Sequence, residues 1–555
     1  MAGILTNEDA MTTVFPARTF GGIRYRRFTA AVLALGVSYG ILLAAGAIPD
    51  DAFITYRTAF NLADHGVYSF NPDEHYPGAT SIAYAYIVAV LRIMFGDGAI
   101  LASRVLDAAG CVTGAFFIAQ ACSADETESQ RFADRTLWLW LLIGLSPPLL
   151  QAGASGMETA LVILLASLAL RELAFRRFGV LYYFAIFMLP LARIDAIAFS
   201  LILTGGALML RRRAGVMSGL AAVLGVGAFA VANFLATGVL LPGSIEAKLV
   251  AFHPSQDFAA IARHLRAVLF GDESYLSILA KAIPDFFYAA AGGLFLAISQ
   301  FEGWRAARRS FVWQGLRSRF ERPADAARLV LAASAVLVPL AYAYGGVLFP
   351  WYLLPSSTFA YTALFDVLAD AADPATPFAR QASLVRRMTG AAAFFMAVVL
   401  LVASAAVDIN VGYQDRVYCA GVGMRLRSLA APGDTLFLEP AGYIPFYSGL
   451  KTFDEVGLAS PAVIAFRKRD PTGWWGDFLR GHRPTFVLEH ADKIAAGKDY
   501  WGHPIPKPDL AWFARHYRRV EEFHYAGMKR TAPVMIRWLV EHGSREDYVL
   551  FRRNG

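Results

Sequence analysis

Apolar segments dominate this sequence of 555 residues and set the main constraint on its fold. Hydrophobic residues make up 56% of the chain and charged residues only 17%, whereas soluble domains have roughly a quarter charged. Most of the apolar segments are long enough to cross a bilayer as a helix. They cover residues 28–48, 79–95, 99–121, 134–150, 157–175, 180–192, 195–210, 214–236, 283–300, 326–346, 351–369 and 388–408. The sequence therefore predicts a polytopic α-helical membrane protein.

The arginines between these segments predict the topology through the positive-inside rule. If every segment crossed, with the basic stretch RYRR inside, the later arginine clusters would face outward. These clusters lie at residues 176–177, 211–213, 305–322 and 386–387. Omitting one crossing places all of them in the cytoplasm. We therefore interpret the net charge of +7 as that of cytoplasmic loops, and we expect no nucleic-acid partner.

Residues 79–95 are the best candidate for the segment that does not cross. The segment is short, carries Arg92 and is followed at once by the break Gly-Asp-Gly. We expect it to lie along the membrane surface or to re-enter without crossing, as an interfacial helix of the first outer loop. The sequence then predicts about eleven transmembrane helices in a domain of residues 1–408, with a cytoplasmic N-terminus.

The composition changes after Val407. The stretch GDTLFLEPAGYIPFYSG is typical of a strand and a turn, and RPTFVLEH and DYVLFRR are typical of further strands. Helical stretches with polar faces lie between them. Residues 409–555 are therefore predicted to form an α/β domain on the extracytoplasmic side of the membrane.

With this topology, ionisable side chains that are otherwise scarce collect on the outer face. They are Asp50, Asp51, Arg57, Glu74, Glu158, Arg193, Asp195, Glu246 and Lys248. Ionisable groups at membrane depth each cost roughly a few kcal/mol and usually mark a functional site. Their convergence predicts a site on the outer face, built from several loops.

Asp50 and Asp51 stand side by side just after the first apolar segment. One carboxylate can act as general base toward a hydroxyl group while the other holds it in place. The pair can instead hold a divalent cation through its oxygens. A structural alternative is that Asp50 caps a helix that begins near Asp51, but a cap needs only one acid. We predict both as catalytic residues, with the cation as an open alternative and no other cofactor.

Arg57, Arg193 and Lys248 supply positive charge from three different outer segments. Such cations suit the phosphate of a lipid-linked substrate. The alternatives are contact with lipid headgroups and pairing with acids, as Asp195 could pair with Arg193. Arg57 follows Asp51 by six residues, so on a helix it points away from that acid.

Other polar residues carry weaker signals. Ser155 and Glu158 have the spacing of a helix capping box. No metal-ligand spacing is formed by the cysteines or by the histidines of the loops, which are Cys111, Cys122, Cys419, His65, His75 and His253.

Five segments in chain order carry a family resemblance. They are DDAFITYRTAFNLADHGVYSFNPDEHYPGATS, SGMETAL, ARID, TGVLLPGSIEAK and FDEVGLASP. In these segments the chain resembles the GT-C superfamily of polyprenyl-phosphate-dependent glycosyltransferases, and more narrowly the mycobacterial-type terminal arabinofuranosyltransferases and their bacterial relatives. It departs from them at Ile194, where relatives carry proline, and in FPWYLLP.

The resemblance implies a GT-C-like helical core in the bacterial inner membrane and a sugar on polyprenyl phosphate as donor. It implies a catalytic acid in the first outer loop, at Asp51 or Asp50. Arg193 and Lys248 would face the donor phosphate, with Arg57 as a third candidate. Within the matching segments, the expected substrate-binding residues are Glu74, His75, Thr80, Glu158 and Asp195.

We therefore expect an inverting glycosyltransferase of cell-envelope polysaccharide biosynthesis. It would move a sugar, arabinofuranose by the resemblance, from polyprenyl phosphate to an extracytoplasmic glycan or glycolipid, in contact with membrane lipid. One rival is a flippase for lipid-linked sugars, which would need no base. A second is a non-catalytic scaffold or receptor, which leaves the aspartate pair unexplained. A third is a GT-C transferase that acts on lipid A or protein.

Overall fold

The computed structural model describes residues 22–45, 48–240, 242–252, 322–345, 350–372, 412–529 and 547–554, with a few single positions near 402–410 and 532–537. The apolar segment predicted at 283–300 and most of that at 388–408 lie outside these ranges. The count of eleven transmembrane helices and the domain boundary at 408–409 therefore stay predictions. Each of the other apolar segments falls on one or two helices.

Helices form the described part of the first 372 residues. In chain order they are α1 (Gly22–Ala45), α2 (Asp50–His65), α3 (Ile82–Phe95), α4 (Ala99–Cys122), α5 (Ser129–Gly144), α6 (Pro147–Ala154), α7 (Thr159–Ala174), α8 (Val180–Ala192), α9 (Ile197–Leu210), α10 (Arg212–Thr237), α11 (Gly243–Phe252), α12 (Pro323–Gly345) and α13 (Leu354–Ala372). Short 3-10 turns occur at Gly96–Gly98, Ile194–Ala196 and Pro350–Leu353.

Several of these helices are long and apolar enough to span a membrane. By length and composition, the described residues contain four such helices, at Tyr25–Ala44, Ile82–Cys122, Arg212–Thr237 and Pro323–Tyr342. Helices α5 and α6 together make a fifth candidate span, which is bent by 64°. The stretch Ile82–Cys122 joins α3 to α4, so the interfacial position of residues 79–95 stays a prediction.

Helix α4 is central to the helical core. It packs against α5, α6, α7 and α12. Small residues allow a close approach to α7, since a Cβ added at Gly114 would lie 3.4 Å from both Ile163 and Ser167. Leu139 and Leu170 are fully buried in the surrounding apolar cluster. Close packing of this kind holds the loops at the helix ends in fixed positions.

Helix α2 carries the paired acids. It begins at Asp50 and Asp51, whose negative charges favour a helix N-terminus. It ends at His65, and Gly66 takes the left-handed conformation of a C-terminal cap at φ 71°. Asp50 is the first helical residue, and the N-cap position is Pro49, which makes no side-chain cap. The capping role considered for Asp50 is therefore wrong.

The C-terminal region is an α/β domain, as predicted. Its strands are β1 (Thr435–Leu438), β2 (Lys451–Asp454), β3 (Phe486–His490), β4 (Tyr517–Phe523) and β5 (Tyr548–Arg553), in the sheet order β2-β1-β3-β5-β4. Strand β1 pairs in parallel with β2 and β3, and β5 is antiparallel to β3 and β4. Its helices are α14 (Ala420–Leu429), α15 (Tyr443–Ser448), α16 (Pro461–Arg469), α17 (Trp474–His482), α18 (Ala491–Ala495), α19 (Lys507–His516) and α20 (Tyr525–Lys529). A π-helix at Gln414–Cys419 precedes α14.

Strand β1 lies at the heart of this domain. Its Phe437 is opposite Phe453 on β2 and Val487 on β3, and it packs on Trp475 and Phe478 of α17. Because the three strands are parallel, their carboxyl ends meet at one edge of the sheet.

Arg57 of α2 forms hydrogen bonds with both the C-terminal domain and the first loop. Its guanidinium donates hydrogen bonds to the carbonyl oxygens of Pro445 at 2.6 Å, Leu450 at 2.7 Å and Phe70 at 2.8 Å. It also lies 4.4 Å from the centre of the Phe70 ring. The side chain is buried, so these partners stabilise a charge that would otherwise be costly.

Further polar contacts join the same two parts of the molecule. They pair Asn71 with Thr452, Lys451 with Asp73 and Glu74, and Tyr76 with Gly457. Lys468 of the C-terminal domain also pairs with Glu246 of α11. The first loop and the C-terminal domain are thus packed as one unit.

Candidate functional site

Five of the predicted site residues converge on one place. They are Asp51, Glu158, Arg193, Asp195 and Lys248, which come from α2, the α6–α7 junction, the α8–α9 junction and α11. We call this group, together with Tyr342 and Tyr352, the polar cluster. It brings two cations and three acids together among four separate segments of the helical domain.

Arg193 is at the centre of the polar cluster. It follows α8 in an extended conformation, with φ −159° and ψ 131°. Its Nε donates to Asp195 Oδ1 at 2.9 Å and its Nη2 to Asp195 Oδ2 at 2.6 Å, so the pair is bidentate. Its Nη1 lies 3.7 Å from Glu158 Oε1. The guanidinium also lies 4.4 Å from the centre of the Tyr352 ring.

Two tyrosines that the sequence reasoning missed link the cations. Tyr342 donates its hydroxyl hydrogen to Asp195 Oδ2 at 2.7 Å, and its ring stacks on Tyr352 at 5.2 Å between centroids. Lys248 donates to the Tyr352 hydroxyl. Tyr352 belongs to the FPWY stretch of a predicted outer loop, but the sequence pattern offered no reason to select it.

Asp51 lies within electrostatic range of Lys248 and Arg193. Burial raises the pKa of the Asp51 carboxyl above its ordinary value, and the two cations partly oppose that rise. Burial lowers the pKa of Lys248, but Tyr352 and Asp51 outweigh it, so the pKa of Lys248 is raised overall and the ammonium stays charged. The arrangement holds a carboxylate that accepts a proton readily beside a permanent positive charge.

Glu158 contacts Arg193 and not Ser155, the partner that the capping-box spacing predicted. Ser155 Oγ accepts a hydrogen bond from the N–H of Met157 at 3.3 Å, and the helix that follows has no side-chain cap. The predicted capping box is therefore wrong.

Asp50 and Arg57 face the C-terminal domain. Asp50 Oδ1 accepts a hydrogen bond from the backbone N–H of Tyr443 at 2.8 Å. Arg57 donates to carbonyls of the same domain, and burial lowers its pKa to about 10. The structure therefore does not bring Arg57 to the polar cluster, and it gives Asp50 a partner that differs from those of Asp51.

The remaining predicted substrate-binding residues also lie apart from the polar cluster. Glu74 forms an ion pair with Lys451 at 3.1 Å, and His75 is exposed. Thr80 is half-buried and precedes Ser81, whose side chain caps α3 by accepting from the N–H of Tyr84. Their predicted role in substrate binding stays a prediction.

A divalent cation at the aspartate pair would need further ligands. Across the described ranges, no three His, Cys, Asp or Glu side chains converge in a way that could hold a metal ion. Asp50 accepts the N–H of Tyr443 and Asp51 lies in the field of Lys248 and Arg193, and a cation held by this pair stays a prediction.

The fold is similar to that of two solved membrane enzymes. ArnT from Cupriavidus metallidurans bound to undecaprenyl phosphate matches with a TM-score of 0.50 and 14% identity, over 84% of this chain and 94% of that one. The oligosaccharyltransferase of Archaeoglobus fulgidus in the apo form matches with a TM-score of 0.54 and 11% identity, over 94% of this chain and 88% of that one. The chain therefore resembles these enzymes in its fold, whereas the number of transmembrane helices and their topology stay predictions.

The C-terminal domain matches one family by sequence. Residues 408–551 match the family described as "Domain of unknown function (DUF8728)". No curated protein sequence matches the chain.

Proposed function

We propose that the protein is an inverting glycosyltransferase that takes a sugar from a polyprenyl-phosphate donor. The observation that carries this proposal is the position of Asp51 beside Lys248 and Arg193 in the polar cluster. A base for a hydroxyl nucleophile and cations for a phosphate leaving group are the two parts that this reaction needs. ArnT, which shares the fold, was solved with undecaprenyl phosphate bound.

In this mechanism Asp51 removes the proton from a hydroxyl group of the acceptor. The hydroxyl oxygen attacks the anomeric carbon from the face opposite the phosphate, and a new C–O bond forms. The bond between the anomeric carbon and the phosphate oxygen breaks, and the polyprenyl phosphate leaves with the electron pair. Lys248 and Arg193 stabilise the negative charge on that phosphate, and the proton ends on Asp51.

The two cations have different tasks within this scheme. Arg193 is already held by Asp195 and Glu158, so it is rigid and contributes a fixed positive field. Lys248 is on the short helix α11, and its ammonium is a compact charge that can approach a phosphate oxygen. Tyr352 lies against both cations and positions them relative to each other.

We propose that the acceptor is an extracytoplasmic glycan or glycolipid of the cell envelope, at the outer face of a bacterial inner membrane. Arabinofuranose is the proposed sugar, by the resemblance of the first loop and of the segments around residues 155–161 and 237–248. Asp50, Glu74, His75 and Thr80 are proposed to border the acceptor side of the site.

The test is transfer of labelled sugar from synthetic polyprenyl-phosphate donors by the purified protein. Asp51→Asn should abolish transfer while polyprenyl phosphate still binds. Asp64→Asn is the matched control, since Asp64 is on the same helix but pairs with Arg92. Retained anomeric configuration in the product would contradict the inverting mechanism. If lipid-linked sugar instead changes leaflet without transfer, with Asp51→Asn behaving as the parent, the protein is a flippase.

A further inference from the structure

The carboxyl edge of the parallel strands in the C-terminal domain is lined with buried acids. Glu439 follows β1 directly, Glu455 follows β2, and Glu489 lies near the end of β3. Strand β1 has β2 on one side and β3 on the other. The order in which the strands are added to the sheet therefore reverses at β1, although all three strands are parallel. Open α/β sheets bind their ligands in the crevice at such a switch point.

This edge faces helix α2 of the helical domain. The N–H of Tyr443, four residues after Glu439, donates to Asp50. Gly442 approaches so closely that an added Cβ would overlap the Asp50 backbone and carboxylate. Ala441 lies in one buried apolar cluster with Ile54 of the same helix. The turn that follows β1 is therefore pressed against the start of α2, where Asp51 also lies.

Glu439 differs from the acid that neighbours it on the sheet edge. Asp454 is fully buried, and its carboxylate accepts from the N–H groups of Leu458 at 2.6 Å and Ala459 at 2.8 Å, so it stabilises a turn. Glu439 has only 7% of its surface exposed, yet its Oε2 has no hydrogen-bond partner among the described residues. A buried polar atom of this kind requires an explanation.

We propose that Glu439 is a further substrate-binding residue, whose carboxyl group contacts a hydroxyl group of a sugar acceptor held between the C-terminal domain and Asp51. The inference rests on the proposed function and adds to it the part of the protein that receives the acceptor. A bound hydroxyl would supply the missing partner of Oε2. It would also explain why the C-terminal domain is fastened to the loop that carries the base.

The charge state of Glu439 suits this role. Burial raises its pKa well above the ordinary value, and the acids Asp454, Glu455, Asp50 and Asp51 raise it further. Arg467 faces the same group of acids from α16. This environment favours the neutral carboxylic acid, a form that can donate one hydrogen bond and accept others. Asp51 remains the base, and Glu439 orients the hydroxyl that it deprotonates.

The first experiment compares Glu439→Ala with Glu439→Gln in the full-length protein. Glutamine has the same shape as glutamic acid and can still donate and accept a hydrogen bond. In Glu439→Gln the KM for the sugar acceptor should therefore stay within about threefold of the parent value. Alanine should raise the acceptor KM about tenfold or more, because the hydroxyl loses a buried hydrogen bond. Binding of polyprenyl phosphate and the unfolding temperature should be unchanged in both. An unchanged acceptor KM in Glu439→Ala would overturn the proposal.

A second readout does not depend on turnover. Saturation-transfer NMR with defined pentose and hexose disaccharides should show saccharide contact in Asp51→Asn, and that contact should be lost in Asp51→Asn combined with Glu439→Ala. If the parent transfers no sugar but this difference is seen, the proposed reaction fails and the saccharide contact stands. If the disaccharides give no signal, or the same signal in both variants, the role of Glu439 is refuted whether or not transfer occurs.

Discussion

Asp50 and Asp51 are adjacent in sequence, but their carboxylates act in different parts of the molecule. Asp50 accepts the N–H of Tyr443 in the C-terminal domain, whereas Asp51 lies in the field of Lys248 and Arg193. Successive residues on a helix are separated by about 100°, so one turn of α2 presents one acid to each partner. The pair therefore joins the C-terminal domain, through Asp50, to the polar cluster, through Asp51.

We expect Asp50→Ala to loosen the C-terminal domain, while Asp50→Asn does so only weakly. Alanine leaves the Tyr443 N–H without its acceptor, at a cost of about 1–3 kcal/mol, whereas asparagine keeps an oxygen there. Hydrogen exchange of residues 443–454 is the measurement. Asp64→Ala on the same helix is the control. If Asp50→Asn loses all sugar transfer while exchange is unchanged, Asp50 acts in the chemistry and not in docking.

Arg57→Ala should destabilise the folded protein without weakening the affinity of the remaining folded fraction for polyprenyl phosphate. The substitution leaves the carbonyls of Pro445, Leu450 and Phe70 without a donor, and hydrogen bonds from a charged group are worth about 1.5–3 kcal/mol each. Arg57→Lys should be intermediate, because an ammonium cannot match the planar geometry. Unfolding temperature and lipid binding are measured together. A stable variant that no longer binds the lipid would restore Arg57 as a phosphate ligand.

Lys248→Met should show the opposite pattern. Lys248 lies on α11 and faces Tyr352 and Asp51, so its removal should lower the affinity for polyprenyl phosphate about tenfold or more, with a small change in stability. Lys468→Met is the control, because Lys468 pairs with the exposed Glu246, which is on α11 like Lys248. Equal loss of binding in both variants would indicate a general charge effect on lipid association.

The pH dependence of transfer should report Asp51. A general base works only when deprotonated, so kcat/KM falls as pH drops through its pKa. Burial raises that pKa, so the fall should occur at a higher pH than an ordinary aspartate would give. Lys248→Met removes a charge that lowers the pKa of Asp51. The acid limb of the pH profile, where kcat/KM falls, should therefore move to still higher pH. A limb that stays in place or moves to lower pH would exclude Asp51 as the titrating group.

The C-terminal domain should lose stability as pH rises from about 4.5 to about 7. Burial, followed by the charge of Asp499, raises the pKa of Glu455 from its ordinary value of 4.5 to about 7. The folded state then holds a proton that the unfolded chain has released, so the free energy of unfolding decreases across this interval. Glu455→Gln should flatten the profile there, as measured by thermal unfolding at a series of pH values. A profile identical to that of the parent protein would show that Glu455 does not titrate in this range.

The sequence predicted the composition of the site better than the direction of each side chain. The requirement that arginine clusters share one face placed Asp51, Glu158, Arg193 and Lys248 on the opposite face, and the structure brings them together. That reasoning used only the order of charged and hydrophobic residues, which can be read directly from the sequence. It could not tell whether the cations face one another or a third group, because this depends on how separate helices pack.

Arg57 shows where the missing information lies. Its six-residue spacing from Asp51 already indicated a different face of α2, but the partner on that face is a domain almost 390 residues later in the chain. Carbonyl acceptors such as those of Pro445 and Leu450 leave no pattern in the sequence. For the same reason, no sequence pattern indicated that the ring of Tyr352 would lie against both cations.

The bond between Arg57 and the Pro445 carbonyl also affects how relatives of this protein could be recombined. If the C-terminal domain were exchanged between two such chains, the turn after β1 would come from one protein and Arg57 from the other. The carbonyl groups of that turn would then no longer be matched to the guanidinium of Arg57. The first loop, from Pro49 to Thr80, therefore has to be exchanged together with the domain that begins near Gln414 and with helix α11, because Lys468 of that domain also pairs with Glu246 of α11. A chimera that transplants all three segments should fold, whereas one that transplants the domain alone should be destabilised.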